Sequence, residues 1–369
     1  MSSCSDSGRS AIETIRRAGL KLPKTLFLAI SGDCNLHCAH CLVESPRPGH
    51  VPAAEVRRLV EEFLALGGEE ICLTGGEPLL HPDWFDIVSF IRRQPGVRSL
   101  RLQTNASLLT TRHAEALRDL RFDGLSFQVS LEGGTPATHD GIRGEGAFAA
   151  ALAGLDCLVD SGFGPRITIN FTEMRHNMEE IPGLLYLANW LGVKEVVGST
   201  LVTHGRASSS PFQQPLPSQY TDLLERYHQD PGFRELYDKL GRFPAIEWWL
   251  GRDQASTGCC SFVETLYLTA DGLLFPCALL HSEAFAARAA FERPLAETLA
   301  EAVPLWSGLL ESCRRRVETI EECRGCPAKG HCGGGCPARA LLVHGDLNHP
   351  EDRCELRQVV FDWSPSSDR

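Results

Sequence analysis

No apolar run in this 369-residue chain reaches the length of a membrane span. The stretch from Met1 to Ser10 is polar and lacks the apolar core of a secretory signal. Both absences point to a cytoplasmic protein with no membrane partner. Positive charge is also scarce. With a net charge of −11 and no Lys/Arg stripe, the chain lacks the basic footprint that phosphate binding needs, which excludes nucleic acid as the main partner. The densest basic run, Arg314-Arg315-Arg316, reads as a solvated helix face. There is no repeat at solenoid spacing, and the glycine-rich stretch Thr74–Leu80 lacks the spacing of a Walker loop or a dinucleotide fingerprint. Without an export signal, and with an odd count, the 15 cysteines do not form a disulfide framework. Reduced thiols at short spacing mean metal.

What is present is a soluble globular composition, 43% hydrophobic and 22% charged, in a chain long enough for a barrel-sized unit and a smaller one. Thr25–Ser31 is a near-continuous apolar run, as expected of a strand buried on both faces of a parallel sheet. Further strands are expected at Glu70–Thr74, Ser99–Thr104, Leu125–Leu131, Arg166–Phe171 and Glu195–Leu201. Helices are expected near 11–18, 53–66, 83–94, 111–120, 146–161, 178–191 and 218–229. Six strands alternating with helices define an α/β fold, a β/α barrel or an open doubly wound sheet. The polar residues Cys34, Gly75, Thr104, Asn105, Ser130, Glu132, Asn170, Ser199 and Thr200 all fall at strand ends, the edge where barrel active sites lie.

Cys34-x3-Cys38-x2-Cys41 follows the first strand. Three thiolates so spaced can hold three irons of a cubane cluster and leave the fourth iron open for chemistry. A zinc site is the alternative, with His37 or His40 as fourth ligand. Gly75-Gly76-Glu77-Pro78 follows the second strand. Paired glycines let backbone approach a ligand, Glu77 can accept bonds from an ammonium group, and Pro78 stiffens the exit. Near the C-terminus, Cys323-x2-Cys326-x5-Cys332-x3-Cys336-Pro337, with Cys354 further on, has the layout of two-cluster ferredoxins. Gly333-Gly334-Gly335 lets the chain wrap an inorganic core. Asp271-Gly272 signals a hairpin that sets Cys260 and Cys277 on neighbouring strands. Cys4, Cys72 and Cys157 read as bystanders, and Cys313 fits no slot.

The two N-terminal motifs together resemble the radical S-adenosylmethionine (SAM) superfamily. In that family a reduced 4Fe-4S cluster passes an electron to bound SAM, and the 5′-deoxyadenosyl radical so formed abstracts hydrogen from a substrate. The resemblance implies a partial (β/α)6 barrel with Cys34, Cys38 and Cys41 as cluster ligands. Gly75, Gly76 and Glu77 would hold the methionyl amino group, and Ser130 and Arg143 its carboxylate or the ribose. Pro78, Asn105 and Glu132 join the cofactor-binding set. Ala106 stands where the family often has glycine after Thr-Asn, and His40 takes the place of an aromatic that packs near the adenine.

The C-terminal spacing resembles the SPASM domain, a small cysteine-rich α+β extension carrying one or two auxiliary iron–sulfur clusters. One cluster would use Cys260, Cys277 and Cys336, with Cys259 as candidate fourth ligand. The other would use Cys323, Cys326, Cys332 and Cys354. Two four-cysteine zinc knuckles are the alternative. The implied organisation is a tail and short helix over 1–24, a radical SAM barrel over 25–204, a linker with bridging helices over 205–254, a SPASM domain over 255–360 and a tail over 361–369.

Relatives with this domain pair mostly modify peptides or proteins. The resemblance therefore implies an oxidoreductase or maturase that oxidises or crosslinks a peptide substrate, through a thioether or a carbon–carbon bond, with auxiliary-cluster assistance. An external electron donor such as flavodoxin or ferredoxin is implied as well. Ala278 stands where sulfatase-maturing relatives carry an aspartate base, which disfavours that subtype. Only 33 residues precede Cys34, where many peptide-modifying relatives have a leader-binding domain, so a leader would need a separate leader-binding protein or another recognition route. Two alternatives stand beside this reading. One is radical modification of a small molecule such as a tetrapyrrole, as in haem-pathway relatives, which calls for a basic, aromatic-lined pocket. The other is a non-catalytic iron–sulfur electron carrier.

Overall fold

The computed structural model describes residues 6–43, 48–255 and 262–365. Strand β1, Thr25–Ser31, has Leu26, Leu28 and Ile30 fully buried. It pairs in parallel with β2, Glu70–Gly75, and the parallel order continues through β3 (Ser99–Thr104), β4 (Leu125–Ser130), β5 (Ile167–Glu173) and β6 (Glu195–Thr200). A short β7, Gly241–Arg242, extends that edge. On the far side of β1 lies β8, Thr265–Leu268, also parallel, followed by the antiparallel β9, Leu274–Phe275. The register aligns Leu266, Leu26, Ile71, Leu100 and Leu125 in one row, every member buried. This is an α/β fold on one nine-stranded sheet, open because β1 and β6 are not neighbours, and hence an incomplete barrel.

Helices Ala53–Ala65, Trp84–Arg92, Thr111–Asp119, Ala147–Asp160 and Ile181–Leu191 follow β1 to β5, where the sequence pattern puts them. Their ends have local causes. Thr110 Oγ1 accepts from His113 N at 3.3 Å, and Gly192, at φ 64°, takes the left-handed position that closes Ile181–Leu191. The 25-residue helix Leu295–Thr319 packs on Asp6–Arg17 and Ala53–Ala65. Leu295 N donates to Glu62 Oε2 at 2.6 Å, and Trp306, fully buried, donates through Nε1 to Phe285 O at 2.9 Å. No helix among the described residues is long and apolar enough to cross a membrane.

Four features depart from the sequence reading. The helix Pro136–Arg143 was not expected; eight residues with an internal Gly141 carry too little periodicity to announce it. The parallel pairing of β8 to β1 carries the sheet across residues 205 and 255, where domain divisions were expected. Residues 205–218, expected as linker, begin with a short 3-10 helix, Gly205–Ser209, packed on the cysteine loop, and Pro217 opens the next helix. The run at 314–316 is not a uniformly solvated face. Arg316 is 1% exposed and donates through Nη2 to Gly334 O at 2.9 Å and His349 O at 3.1 Å, while Nε and Nη1 are buried without a partner among the described residues.

Candidate active site

The carboxyl ends of the strands surround a cavity of about 850 Å³. One wall is the loop after β1, which carries Cys34, Cys38 and Cys41. Cys41 N donates to Cys38 O at 3.3 Å, and Ala39 N reaches Ile142 O at 2.9 Å, tying the loop to helix Pro136–Arg143. The strap at Gly205–Ser209 clamps it from outside. Arg206 Nε donates to Cys38 O at 3.0 Å, and Gly205, at φ 60°, has no room for a Cβ against the Leu42 carbonyl. Burial raises the thiol pKa values of Cys34 and Cys38, and the neighbouring thiols add to the effect. Arg143 works against it at Cys38, with Nη1 3.7 Å from the sulfur.

This donor set fits an iron–sulfur cluster: three free thiols on one cavity wall, with a guanidinium beside them to balance thiolate charge. The neighbouring strand end, after β2, fits an amino-acid ligand. Gly75, at φ 140°, and Gly76 press against the Ser31 and Asp33 carbonyls, where a Cβ would collide, and both line the cavity. Ser130 and Asn105 line it too. Asn105 Nδ2 donates to Asn35 Oδ1 at 3.0 Å, which binds this edge to the cysteine loop. Ala106, in the family's glycine position, holds a left-handed φ of 63° while fully buried.

Two acidic residues of the expected cofactor set stand behind the wall. Glu77 is 1% exposed, and its carboxylate accepts from Thr104 Oγ1 (2.7 Å), Asn105 N (2.9 Å) and Leu79 N (3.2 Å). Burial still outweighs those bonds and raises its pKa. Pro78 is likewise buried, at the start of a 3-10 turn. Glu132 is fully buried. It accepts from Arg143 Nη2 at 2.5 Å and Nε at 3.1 Å, from Thr172 N at 2.7 Å, and lies 3.2 Å from His40 Nε2. Burial alone would raise its pKa, but the charges of Arg143 and His40 hold it well below the usual carboxylate range. Glu132 thus stands behind Arg143 and His40, which do line the cavity.

The floor is polar, formed by Gln103, Gln128 and Asn170 on β3, β4 and β5, with Gln128 Nε2 3.2 Å from Asn170 Oδ1. Sequence reasoning missed the two glutamines, although they interrupt apolar alternation at inward positions. It also missed His204, Arg206 and His281, whose places on the wall depend on contacts between distant segments.

The C-terminal cysteines lie apart from this cavity. The thiols of Cys323, Cys326 and Cys332 all act on that of Cys354, which burial first, and their charge next, push up to about 11. The four lie near enough for their charges to interact, though no group of three or more of them is set to hold a metal ion among the described residues. Cys336, before helix Pro337–His344, is partly buried, and its N–H donates to Glu351 Oε2 at 3.0 Å. Cys277 follows β9 and accepts from Leu279 N at 3.3 Å. Cys259 and Cys260, like Cys4, lie outside the described residues.

Strand order, cavity and cysteine loop agree with the family comparison, in which residues 28–188 match the radical SAM superfamily. Residues 28–188 are thus similar to the radical SAM domain, and the comparisons support an enzyme of radical SAM type, for which SAM and an iron–sulfur cluster are the cofactors that the similarity implies. It is 29% identical over 357 residues to the "AdoMet-dependent heme synthase" of Methanosarcina barkeri, covering 91% of this chain and 97% of that protein. Among solved structures it resembles anSMEcpe with bound AdoMet (TM-score 0.73, 16% identity, 92% of this chain and 96% of that one). It likewise resembles Streptococcus suis SuiB bound to precursor peptide SuiA (TM-score 0.73, 16% identity, 94% and 79%). These two SPASM-domain enzymes share its fold.

Proposed function

We propose that this enzyme carries out radical chemistry on a carboxylate-bearing tetrapyrrole. The observation that carries the reading is the end-to-end similarity to a haem synthase, which includes the C-terminal cysteine region. The cavity supports it, because its outer wall combines the aromatic rings of Tyr267, Phe275 and His281 with the cation of Arg206. Cys34, Cys38 and Cys41 would hold the cluster, with SAM against Gly75, Gly76, Ser130 and Arg143. When bound, the pair supplies a carbon radical able to take hydrogen from an unactivated carbon. The protein's part is to position and to exclude water. Glu132 fixes Arg143 beside Cys38, the strap at 205–209 holds the loop, and the apolar outer wall covers the substrate. Cys323, Cys326, Cys332 and Cys354 are read as holding one auxiliary cluster. Cys277 and Cys336, with Cys260, would contribute to a second, and a small electron-transfer protein would serve as reductant.

Oxidation or crosslinking of a peptide is the second reading, favoured by the shared fold of SuiB, a structure bound to its precursor peptide. Anaerobically reconstituted enzyme with SAM and a strong reductant distinguishes them. An iron porphyrin bearing propionate side chains should raise 5′-deoxyadenosine output at least tenfold over enzyme alone and itself change in mass. Output stimulated by peptides and unaffected by porphyrins would reverse the assignment.

A further inference from the structure

His204 stands at the cavity wall between the end of β6 and the strap, in extended backbone. Its Nδ1 lies 3.1 Å from the carbonyl oxygen of Leu342, on helix Pro337–His344. A carbonyl can only accept, so Nδ1 carries a proton, and a metal would be met by Nε2, the other ring nitrogen. No described residue pairs with Nε2. Proteins orient metal-ligating imidazoles in this way, with the far ring nitrogen anchored on a carbonyl.

The surroundings suit a flat ligand. On the same wall the ring of His281 packs between two others, its centroid 4.4 Å from that of Tyr267 at an interplanar angle of 38° and 5.4 Å from that of Phe275 at 33°. Burial, and next to it the nearby His204, holds the pKa of His281 at about 4, so that this face stays neutral at physiological pH. Arg206 follows two residues after His204. It donates through Nε to Cys38 O and meets His37 Nδ1 through Nη1 at 3.4 Å, leaving Nη2 without a described partner.

We propose that His204 Nε2 ligates the iron of an iron tetrapyrrole lying against the Tyr267–His281–Phe275 face, with Arg206 taking one of its carboxylates. The proposal rests on the tetrapyrrole reading and makes it more specific: the substrate would already contain iron when it binds. No bond of the substrate changes at this step. The histidine fixes the macrocycle's position relative to the cluster loop.

The test is a titration of full-length, cluster-loaded protein with haemin and, separately, with metal-free protoporphyrin IX, followed by difference absorption and low-temperature electron paramagnetic resonance. Wild type should show histidine-ligated haemin and bind it at least tenfold more tightly than the metal-free ring, within the range that ligand support confers. His204→Ala should lose that spectrum and the iron-dependent part of the affinity, while binding of the metal-free ring stays within twofold. Free imidazole should restore the spectrum in the variant, which a merely unfolded protein would not allow; circular dichroism and iron content check the fold. Equal binding of both rings, with His204→Ala unchanged, would overturn the ligand assignment and leave the tetrapyrrole reading standing. Loss of the spectrum in His281→Ala but not in His204→Ala would overturn it in favour of the other histidine. Binding of neither ring would overturn the tetrapyrrole reading and this proposal with it.

Discussion

The cysteines at the two ends of the chain are set in opposite ways. Cys34, Cys38 and Cys41 sit on a loop that forms one wall of the cavity, while Cys323, Cys326, Cys332 and Cys354 lie away from it. Three thiols on a cavity wall would leave room for a ligand at a metal they held, whereas four thiols set apart from the cavity would serve a site without that access. That is the distinction between an open site and a closed one. The supporting charges differ as well. Beside the loop, Arg143 is held by buried Glu132 and reaches Cys38. Beside the C-terminal thiols, buried Arg316 is spent on the carbonyls of Gly334 and His349, and Glu351 is held low, to about 2, where Arg353 and Arg357 outweigh its burial. One arrangement aims a cation at the cavity. The other braces a fold.

Glu132→Gln should break the first region with the larger effect. Removing the carboxylate leaves Arg143 buried without its counter-charge, a loss of about 3–5 kcal/mol in denaturant unfolding. SAM affinity, measured by equilibrium dialysis, should fall at least tenfold, while the iron ascribed to the C-terminal thiols is retained. Unchanged SAM affinity would contradict the positioning role given to Glu132.

The regions meet at a junction whose effect is smaller. Arg339 grips Asp352 through two bonds (2.6 and 2.7 Å) and donates to Thr200 O and Leu201 O at 2.9 and 2.6 Å, tying helix Pro337–His344 to the cavity rim. Next to it lies Glu173, fully buried. Oε2 accepts from Tyr220 Oη (2.5 Å) and Thr200 Oγ1 (3.1 Å), whereas Oε1 has no partner among the described residues. Burial raises its pKa to about 7. A carboxyl with a raised folded pKa is most favourable below its unfolded value, and its contribution is lost as pH climbs from there to about 7. Glu173→Gln should therefore stabilise the protein by roughly 1–3 kcal/mol at pH 8 and by close to nothing at pH 4. Equal gains at both pH values would show that the fold does not raise the pKa of Glu173.

Much of this was legible in the sequence because it is local. Apolar runs such as Thr25–Ser31 give the strands to within two residues, and the spacing of Cys34, Cys38 and Cys41 needs only a loop to bring the thiols together. What was not legible depends on distant partners. Arg206 sits in a stretch of linker composition and His204 just before it, and they acquire their places from Cys38 and Leu342, segments about 140 to 170 residues away in the chain. Arg316 reads as surface until Gly334 and His349 fold over it. Glu132 stands at a strand end, but its pairing with Arg143 depends on the helix Pro136–Arg143, which the sequence does not announce.

The most direct test compares two variants of the full chain, reconstituted anaerobically and supplied with SAM and reductant. One replaces Cys34, Cys38 and Cys41 by alanine, the other Cys323, Cys326, Cys332 and Cys354, and 5′-deoxyadenosine is quantified by mass spectrometry. The account predicts no product from the first. From the second it predicts product within about tenfold of wild type, because the cavity wall does not include those thiols. Product from the first, or none from the second with its loop cluster intact, would contradict the division between an open and a closed cysteine site.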